Sequence, residues 1–578
     1  ARASLQRQAN NIVVGRFRLF GHRLVPLEFG TAKRLAHWTE YELKASLLSS
    51  LGPRNPDVKF LWEPARFGWA YTLGRAFHLS GRENLARAFW LHFERFDKRF
   101  PPYWGPHWMN GQEVALRLMA LLWSAQVFAP ASATTPKRMA RLALAIARHA
   151  ARIPPTLPYA RSQGNNHLIT EATALYLAGA ALDRPGWRQL GWRWLNRGLQ
   201  TQIGPDGEYI QHSTNYHRLM LQSALLADAA RRLRQEEWPV PTRQALARAT
   251  RWLLSLTDPL SGKVPNLGAN DGSLILPLSS VAYDDFRPTV QAATRAFLGT
   301  GIPSGDWDEL AIWLGIPDSG FSAPSSFLSP EPLRGSQSWA YLRASSFKTR
   351  LSHMDQLHVD LWWRGRNLAC DAGTFQYNAP PPWDNPLVSS RVHNCLTVDG
   401  GEQMTRAGRF LVLDWFPASS RPALSVQPPV LRALTATHRG YDRLGVHHER
   451  TLGLLEGDRW RVHDRVSLSA PGPHVLRLHW LLVNGEYRLQ RRGSQTRLRV
   501  RLPGGWLSIA VAVSDVAPAA MNVTLIRAGK LLRGRGPALP HEGWISPSYG
   551  RKVPALSLAL EVLVSDACTL TTDFALPH

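Results

Sequence analysis

The hydrophobic periodicity of this chain changes once, and that change constrains the fold more than any other feature. From about Thr31 to Leu314, apolar residues recur at three- and four-residue steps, as in Glu113-Val-Ala-Leu-Arg-Leu-Met-Ala-Leu-Leu-Trp. This is the period of helices with a buried face. From about Ser338 onwards, segments such as Leu507-Ser-Ile-Ala-Val-Ala-Val alternate with period two between Gly, Asp and Pro turns. The pattern predicts helices first and strands second.

The chain has 578 residues, which is too long for one ordinary core. Long helices joined by short Pro- and Gly-containing breaks predict helical hairpins packed as a solenoid or a closed (α/α) toroid, over residues 1–320. Residues 321–335, rich in Ser and Pro, are predicted to be a linker. Many short strands without intervening helices predict antiparallel sheets, most simply a large β-sandwich, over residues 336–578. The expected fold class is therefore α+β with two domains.

The charge balance is strongly basic, with 68 Lys and Arg against 43 Asp and Glu, a net charge of +25. Such a field attracts polyanions: nucleic acid, an anionic membrane or an acidic polysaccharide. The arginines are spread along helices rather than gathered in a tail, and no recognition-helix or zinc-finger pattern is present, so we do not expect a nucleic-acid partner. The 23 Trp residues favour a sugar polymer, although most single Trp residues are expected to be core.

No apolar run approaches the roughly 20 residues that cross a bilayer, so no transmembrane span is predicted. No signal peptide is visible at the start of the chain, which begins at Ala1. Three Cys without CxxC spacing do not form a disulfide framework. The absence of a P-loop, a dinucleotide fingerprint and a G-x-S-x-G elbow removes the commonest nucleotide and esterase functions, so no nucleotide cofactor is expected.

Two polar clusters lie on helical segments that otherwise bury apolar residues. Asn166 and His167 stand in Arg161-Ser-Gln-Gly-Asn-Asn-His-Leu-Ile-Thr-Glu171, and Tyr216 stands in Gln211-His-Ser-Thr-Asn-Tyr-His-Arg218. Buried polar groups cost free energy unless they are paired or used. Each residue alone is explained by a helix cap or a satisfied core group. Together with Glu208 and Gln211, the three residues predict a shared cleft.

Two further segments are candidate contacts for a sugar. Trp104-Gly-Pro-His-Trp-Met-Asn110 combines aromatic, imidazole and amide groups, a composition that suits a subsite made by Trp104, His107, Trp108 and Asn110. Asn270-Asp271-Gly272 is primarily a turn pattern, with Asn270 as a further candidate contact.

A third cluster begins with His353-Met-Asp-Gln-Leu-His-Val-Asp360, at the start of the strand region. His353, Asp371 and His393 lie on successive predicted strands or turns. Two imidazoles and a carboxylate from adjacent strands form a plausible zinc set. The alternatives are an imidazole that supports acid/base chemistry and a hydrogen-bonded His on an edge strand.

At these residues the chain resembles the heparinase II/III family of polysaccharide lyases. The resemblance covers nearly the whole length and rests on an ordered series of motifs: Phe60-Leu-Trp-Glu-Pro-Ala-Arg-Phe-Gly, Asn165-Asn-His-Leu-Ile, Gln211-His-Ser-Thr-Asn-Tyr-His-Arg-Leu, Asn266-Leu-Gly-Ala-Asn-Asp-Gly, His353-Met-Asp-Gln-Leu-His-Val-Asp-Leu-Trp-Trp-Arg-Gly and His393-Asn-Cys-Leu-Thr-Val-Asp-Gly. The family fold is an (α/α) toroid followed by an antiparallel β-sandwich, in agreement with the periodicity.

The resemblance implies roles for individual residues. Asn166 and His167 would bind and neutralise a uronate carboxylate, and Tyr216 would be the general base or acid. His353 would be a zinc ligand with Asp371 and His393, as in metal-containing members. A further catalytic His can stand two residues before that ligand, but this chain has Leu351 there. Whether His353 serves a metal or the chemistry is therefore open.

The implied reaction is β-elimination at a uronic acid of an anionic polysaccharide. Neutralising the carboxylate lets it take up charge when the C5 proton leaves, and a positioned base and acid complete the step. A tyrosine base needs its pKa lowered from about 10 by nearby positive charge, and Arg161 and Arg218 are the nearest cations in sequence. Arg161, Arg218, Glu208 and Gln211 are also candidate contacts for the substrate.

The expected substrate is a heparin- or heparan-sulfate-like glycosaminoglycan, with alginate or a bacterial exopolysaccharide as the alternative. With such a substrate we expect a periplasmic or secreted protein. A non-catalytic polysaccharide-binding protein is a competing function, supported by Leu351. A hydrolase needs two carboxylates across a cleft, whereas the helical motifs offer amide, imidazole and phenol groups.

Overall fold

The computed structural model describes residues 2–30, 34–44, 57–320, 332–347, 351–423, 428–470, 472–514 and 521–577. These residues form two compact units. The helical unit comprises Ala1–Gln211, Asn215–Leu254 and Asp271–Ser326, and the sheet unit comprises His212–Thr214, Ser255–Asn270 and Phe327–His578. None of the helices in the described ranges is long and apolar enough to span a membrane.

The helices follow one another in the first part of the chain, as the periodicity predicts. They are α1 (Arg2–Val13), α2 (Trp38–Leu43), α3 (Val58–Ala65), α4 (Gly68–Ser80), α5 (Glu83–Arg99), α6 (Gly111–Val127), α7 (Pro136–Gln163), α8 (Asn166–Ala181), α9 (Pro185–Gln202), α10 (Thr214–Leu233), α11 (Val240–Leu256), α12 (Arg287–Leu298) and α13 (Glu309–Trp313). A short hairpin, β1 (Arg16–Leu19) and β2 (Arg23–Pro26), separates α1 from α2.

Alternate helices form an inner and an outer layer. The inner helices α4, α6 and α8 pack against one another in turn, and α5, α7 and α9 each pack against them. Helices α6 and α8 are buried around most of their circumference, since small and apolar residues dominate both. The outer helix α5 keeps its charged residues on one exposed face. This arrangement of helical hairpins is the inner-and-outer pattern of an (α/α) toroid, and it places the start of α8 inside the unit.

Strands dominate the remainder of the chain and form two large antiparallel sheets. The first has the order β10 (Ser419–Pro422), β11 (Val430–His438), β12 (Val446–Leu455), β13 (Arg459–Leu468), β23 (Cys568–Ala575), β17 (Gly505–Val513), β16 (Gln495–Leu502), β15 (Tyr487–Arg492). The second has the order β19 (Lys530–Arg533), β18 (Met521–Arg527), β22 (Leu556–Val564), β14 (His474–Leu482), β6 (Arg366–Ala369), β5 (Val359–Trp363), β4 (Ser338–Leu342), β3 (Leu333–Arg334), with β7 (Leu396–Val398) also paired to β14.

Two short hairpins complete the sheet unit, β8 (Thr405–Arg406) with β9 (Val412–Leu413) and β20 (Trp544–Ser548) with β21 (Arg551–Pro554).

Apolar residues of both large sheets share one core, which includes Leu361, Val462, Leu478 and Ile509. Strands β16 and β17 each contribute one face to this core, because buried residues alternate with exposed or half-buried ones along them. The predicted helix-then-strand order and the toroid-plus-sandwich fold class are confirmed. The predicted linker 321–335 lies mostly outside the described residues, and its Leu333–Arg334 forms strand β3.

Candidate active site and metal-ligand cluster

Tyr216 is held by a buried carboxylate in the helical unit. It is the third residue of α10 and is 8% exposed. Its hydroxyl donates a hydrogen bond to Oδ1 of Asp271 over 2.9 Å, and Lys59 Nζ lies 2.7 Å from the other oxygen, Oδ2. A phenol, a carboxylate and an ammonium therefore meet from three distant parts of the sequence.

Arg66 fixes the turn that carries Asp271. Its Nη1 donates to the backbone oxygens of Asp271 (3.2 Å) and Gly272 (3.0 Å). Gly272 has φ +87°, and a Cβ there would lie 2.6 Å from Arg66 Nη1, so a side chain would both strain the turn and displace the guanidinium. The remaining donors of Arg66 bind Glu113 in a bidentate pair, both bonds 2.6 Å long.

These charges set the protonation of the cluster. Burial by itself would raise the pKa of Asp271, but Lys59 and Arg66 outweigh burial and hold that pKa below its usual value. Asp271 therefore stays ionised, and its carboxylate accepts the hydrogen bond that the Tyr216 hydroxyl donates. Glu63 also accepts from Arg66, over 2.9 Å. Burial, helped by Glu113 and Asp271 and opposed by Arg66, raises the pKa of Glu63 to about 7.

Asn166 opens α8 and presents an uncommitted amide. The helix cap is Asn165, whose side chain accepts from the His167 backbone N–H. The Asn166 backbone N–H donates to Gln211 Oε1 over 2.9 Å, which joins the two predicted motifs in space. The Asn166 side chain is 3% exposed, and its Nδ2 has no hydrogen-bond partner within the described structure. An unpaired buried donor is costly unless a ligand completes it.

His167 stands beside a buried carboxyl group. Its Nδ1 lies 3.9 Å from Glu171 Oε1, and its side chain is 18% exposed. Burial raises the pKa of Glu171 to about 7, although the hydrogen bond from Thr156 and the charge of Arg152 oppose the rise.

Three of the predicted substrate contacts are buried in the structure. His107 is fully buried against the backbone oxygen of Phe29, and burial together with Arg117 lowers its pKa to about 3. Trp108 is also buried and packs against His149. Arg218 is buried over the ring of Phe286. Apolar packing, which the motif composition did not reveal, holds all three inside the protein.

The other predicted contacts have mixed environments. Trp104 is 46% exposed, whereas Asn110 is half-buried and caps α6 through a bond from the Gln112 backbone N–H. Glu208 is buried. In the sheet unit, Asn270 is 1% exposed, and its Oδ1 has no partner among the described residues. Of these four, Trp104 alone presents a large open surface.

The two cations predicted to lie near Tyr216, Arg161 and Arg218, do not stand beside its carboxylate partner Asp271. The guanidinium of Arg161 lies 3.9 Å from the ring centre of Trp194, on an exposed side chain, and that of Arg218 is taken by Phe286 and by the backbone of Tyr283. Lys59 and Arg66 take that place. Sequence reasoning missed Lys59 and Asp271. Asp271 stands in the motif Asn266-Leu-Gly-Ala-Asn-Asp-Gly, whose last three residues are primarily a turn pattern, and Lys59 immediately precedes the motif that begins at Phe60.

His353, Asp371 and His393 meet inside the sheet unit. Their potential ligand atoms lie within 4.8 Å of one another, and all three side chains are buried. His393 Nδ1 is 3.2 Å from Asp371 Oδ2, and His353 Nδ1 is 3.6 Å from Asp371 Oδ1. Burial would raise the pKa of Asp371, but the imidazoles hold it far below its usual value. Burial lowers the pKa of His353 to about 4.

The donor set fits a metal ion. His353 Nδ1, His393 Nδ1 and Asp371 Oδ2 have no hydrogen-bond partner within the described structure. The opposite nitrogen of His393, Nε2, lies 3.1 Å from the Leu387 backbone oxygen. A proton on Nε2 leaves the Nδ1 lone pair facing Asp371, which is the tautomer that a metal-binding His needs.

His358 is a neighbour of this cluster rather than one of its ligands. Its Nδ1 accepts from the Asn394 backbone N–H over 3.0 Å, so its proton is on Nε2. That nitrogen faces Asp360 Oδ2 at 3.5 Å and Asp371 Oδ2 at 3.9 Å. His358 therefore presents a proton, not a lone pair, to the carboxylates.

Leu351 is built into an apolar cluster with Phe347, Met354, Met404, Val412 and Phe416. An imidazole at this position would lose those contacts. The leucine that stands where the family can have a catalytic histidine is therefore part of the apolar packing of this unit.

Comparison with known proteins gives matches across both parts of the chain. The family model described as "Heparinase II/III N-terminus" matches residues 23–275, and "Heparinase II/III-like, C-terminal" matches residues 316–572. A heparin-sulfate lyase from Pedobacter heparinus is 24% identical over 457 residues, which are 74% of this chain and 62% of that relative. The chain therefore spans less than two thirds of that relative's length. A heparin-sulfate lyase from Bacteroides stercoris is 26% identical over 185 residues, 28% of this chain and 27% of the relative.

Solved structures share the fold. A structure described as heparinase III has a TM-score of 0.67 at 16% identity and covers 99% of this chain and 84% of its own. The heparan sulfate lyase HepC from Pedobacter heparinus has a TM-score of 0.57 at 17% identity, with coverages of 99% and 83%. Both likenesses establish the toroid-plus-sandwich architecture.

Proposed function

Because this chain belongs to the heparinase II/III family, we propose that it is a polysaccharide lyase that cleaves a uronate-containing anionic polysaccharide by β-elimination. The observation that carries the proposal is the buried Tyr216 hydroxyl, which is a hydrogen-bond donor to an ionised Asp271. A phenol fixed in this way is a proton carrier at a defined position.

The reaction breaks the C5–H and C4–O bonds and forms the C4=C5 double bond and a new O–H bond on the leaving sugar. A base removes the C5 proton, the electron pair forms the C4=C5 double bond, and the C4–O bond to the leaving sugar breaks as its oxygen gains a proton. No water is consumed. The carboxylate on C5 takes up charge during the step, so donors aimed at it lower the barrier.

Asn166 and His167 are the proposed carboxylate clamp. The Asn166 amide supports this role, since its Nδ2 is buried and unpaired and so is ready for an oxygen ligand. His167 follows it in the chain and is partly exposed. Gln211 accepts the backbone N–H of Asn166 and so fixes the start of α8.

Tyr216 is the proposed proton carrier. Its resting state is the protonated phenol, which suits delivery of a proton to the leaving oxygen. For Tyr216 to serve both transfers, the phenol first loses its own proton to solvent; the phenolate then takes the C5 proton and passes it to the leaving oxygen, where both lie on the same face of the sugar. The charges of Lys59 and Arg66 hold Asp271 ionised, so Asp271 orients the phenol without taking its proton.

His353, Asp371 and His393 are the proposed zinc ligands, because two imidazole nitrogens and a carboxylate oxygen suit that ion. Zinc bound there would supply a fixed positive charge that organises the surrounding loops. His358 would orient Asp360 and Asp371 around it. The burial of all three ligands supports an organising role.

Charge supports the substrate class. A net charge of +25 favours a polymer of high anionic density, so a glycosaminoglycan of the heparin or heparan sulfate type is the first candidate, and alginate or a bacterial exopolysaccharide is the second. Such polymers occur outside the cytoplasm, so we propose a periplasmic or secreted location, which fractionation of producing cells would test.

One assay tests the proposal. Incubation with a panel of acidic polysaccharides is expected to raise the near-ultraviolet absorbance, because elimination leaves an unsaturated uronate. Reducing ends without that absorbance would instead show hydrolysis. If the protein binds polysaccharides of the panel but cleaves none of them, a non-catalytic binding protein is favoured. The apolar setting of Leu351 is the observation that supports this second function.

A further inference from the structure

Strands β15, β16 and β17 carry positive charge that neither the elimination chemistry nor the metal-ligand set uses. Residues 487–513 contain six arginines and no Asp or Glu. Five of these arginines alternate with residues directed to the core and are exposed or half-exposed: Arg488 and Arg492 on β15, and Arg497, Arg499 and Arg501 on β16. We call these five residues, together with Trp506, the arginine face.

The strand register places like charges together. Arg488 lies directly opposite Arg499, and Arg501 lies opposite Trp506. Like charges opposite each other destabilise a sheet. In the described part of the chain, none of the five arginines forms an ion pair with a carboxylate. Glu486 is exposed just before β15, and Asp573, two strands away, is bound to Arg461. An external anion bound to these arginines would offset their mutual repulsion.

Trp506 gathers three of these cations. The guanidinium carbons of Arg488, Arg499 and Arg501 lie 4.9, 5.2 and 5.5 Å from the indole centre. Cation–π attraction orders the side chains but leaves their positive charge in place. An indole can stack on the apolar face of a sugar ring, while guanidinium groups bind carboxylate or sulfate oxygens in pairs.

The shape of the arginine face suits an extended polymer. Arg497, Arg499 and Arg501 follow one another along β16 over about 14 Å, at about 3.4 Å per residue. The charges therefore form a row rather than a pocket for one small anion. Strand β15 is the edge of its sheet, and the row on the neighbouring β16 is exposed or half-exposed along its length.

We propose that the arginine face is a second binding site for an anionic polysaccharide, separate from the residues that carry the elimination. The identity of the polymer rests on the proposed function. Nucleic acid is less well matched, because proteins that bind single strands stack several bases on successive aromatic side chains. Trp506 is the one aromatic residue at the outward positions of these three strands, all of whose residues are described.

The test is a salt titration of binding with the full-length chain. The Tyr216→Phe variant serves as the background, so that the polymer stays intact, and size-defined heparin is the probe. Arg497→Gln, Arg499→Gln and Arg501→Gln are combined in one variant. The matched control combines Arg7→Gln, Arg99→Gln and Arg184→Gln, three exposed arginines of the helical unit, and changes the net charge equally.

The expected result separates a site from general charge. Loss of three polymer contacts should lower affinity about tenfold or more at low salt and reduce the slope of log K against log salt by about 3, roughly one counterion per contact. The control should change affinity less than about twofold. Trp506→Ala should weaken heparin binding more than binding of linear polyphosphate, which has no sugar rings and loses only the ordering of the three arginines.

Two results would overturn the proposal. One is an equal loss of affinity in the control and the β16 variant. The other combines two observations: Trp506→Ala retains heparin binding, and the triple arginine variant of β16 loses as much affinity for single-stranded DNA as for heparin. That combination would indicate a nucleic-acid surface. Failure of the lyase proposal is separate, since a protein without turnover on any polymer would still show the binding difference.

Discussion

Glu63→Gln is expected to stabilise the helical unit at neutral and alkaline pH. Glu63 shares Arg66 with Glu113, but Glu113 takes the bidentate pair and Glu63 takes a single bond from Nη1. Its side chain is 18% exposed. The half-buried Glu63 and the buried Glu113 thus compete for one guanidinium, with Asp271 close by as a third negative charge. Gln keeps the shape and an acceptor oxygen, and removes the charge.

The magnitude follows from the pKa of Glu63, which burial raises from its usual 4.5 to about 7. At about 1.4 kcal/mol per pKa unit, ionised Glu63 costs about 3 kcal/mol of folding stability. Because the folded pKa is the higher one, the contribution of Glu63 is fully present below pH 4.5 and is lost as pH rises through 7. The stabilisation by Glu63→Gln should therefore grow between these values and then level off.

Urea denaturation followed by the helical circular dichroism signal, from pH 5 to 9, measures the difference. Glu113→Gln is the matched control with the opposite sign. Burial would raise the pKa of Glu113, but Arg66 outweighs it and holds that pKa below its usual value. The stability that Glu113 contributes is therefore present above pH 4.5 and lost in acid, and its replacement should destabilise the protein at pH 7. A Glu63→Gln difference that does not change from pH 5 to 8 would refute the argument.

Three further predictions concern the site. Tyr216→Phe should lower kcat by about 10²- to 10⁴-fold with unchanged circular dichroism; full activity in the near-ultraviolet assay would remove Tyr216 as proton carrier. Lys59→Met should lower the free energy of unfolding by about 3 kcal/mol, because it leaves Asp271 buried without its closest cation. Urea denaturation at pH 7 measures this loss, and Lys59→Arg should recover most of it. His393→Ala should abolish bound zinc by elemental analysis and lower Tm, and an unchanged metal content would exclude this residue as a ligand.

The sequence alone determined the order of the architecture. Periodicities of 3.6 and 2 are local properties, because each depends only on which residues of one element face the core. They predicted helices before about residue 314 and strands after about residue 338, as the structure has them. The hairpin β1–β2 was missed, because two four-residue strands give too short a pattern.

The candidate site was predictable where its residues carry local motifs. Asn166 and His167 were placed correctly at the start of a helix, and Gln211 joins their motif to that of Tyr216. The grouping of His353, Asp371 and His393 followed from the resemblance and from residue type, and the structure brings the three together. Their roles in catalysis and metal binding stay predictions.

Tertiary structure decided the partners and the burial. Lys59 and Asp271 are 212 positions apart in sequence, yet 2.7 Å separates their charged atoms, and no local pattern encodes such a contact. Packing also withdrew His107, Trp108 and Arg218 from the surface, although their composition suited a sugar site. The arginine face arises in the same way, because the register of β15, β16 and β17 brings its charges together. A side chain's type is fixed by the sequence, whereas its neighbours and its exposure are fixed by the fold.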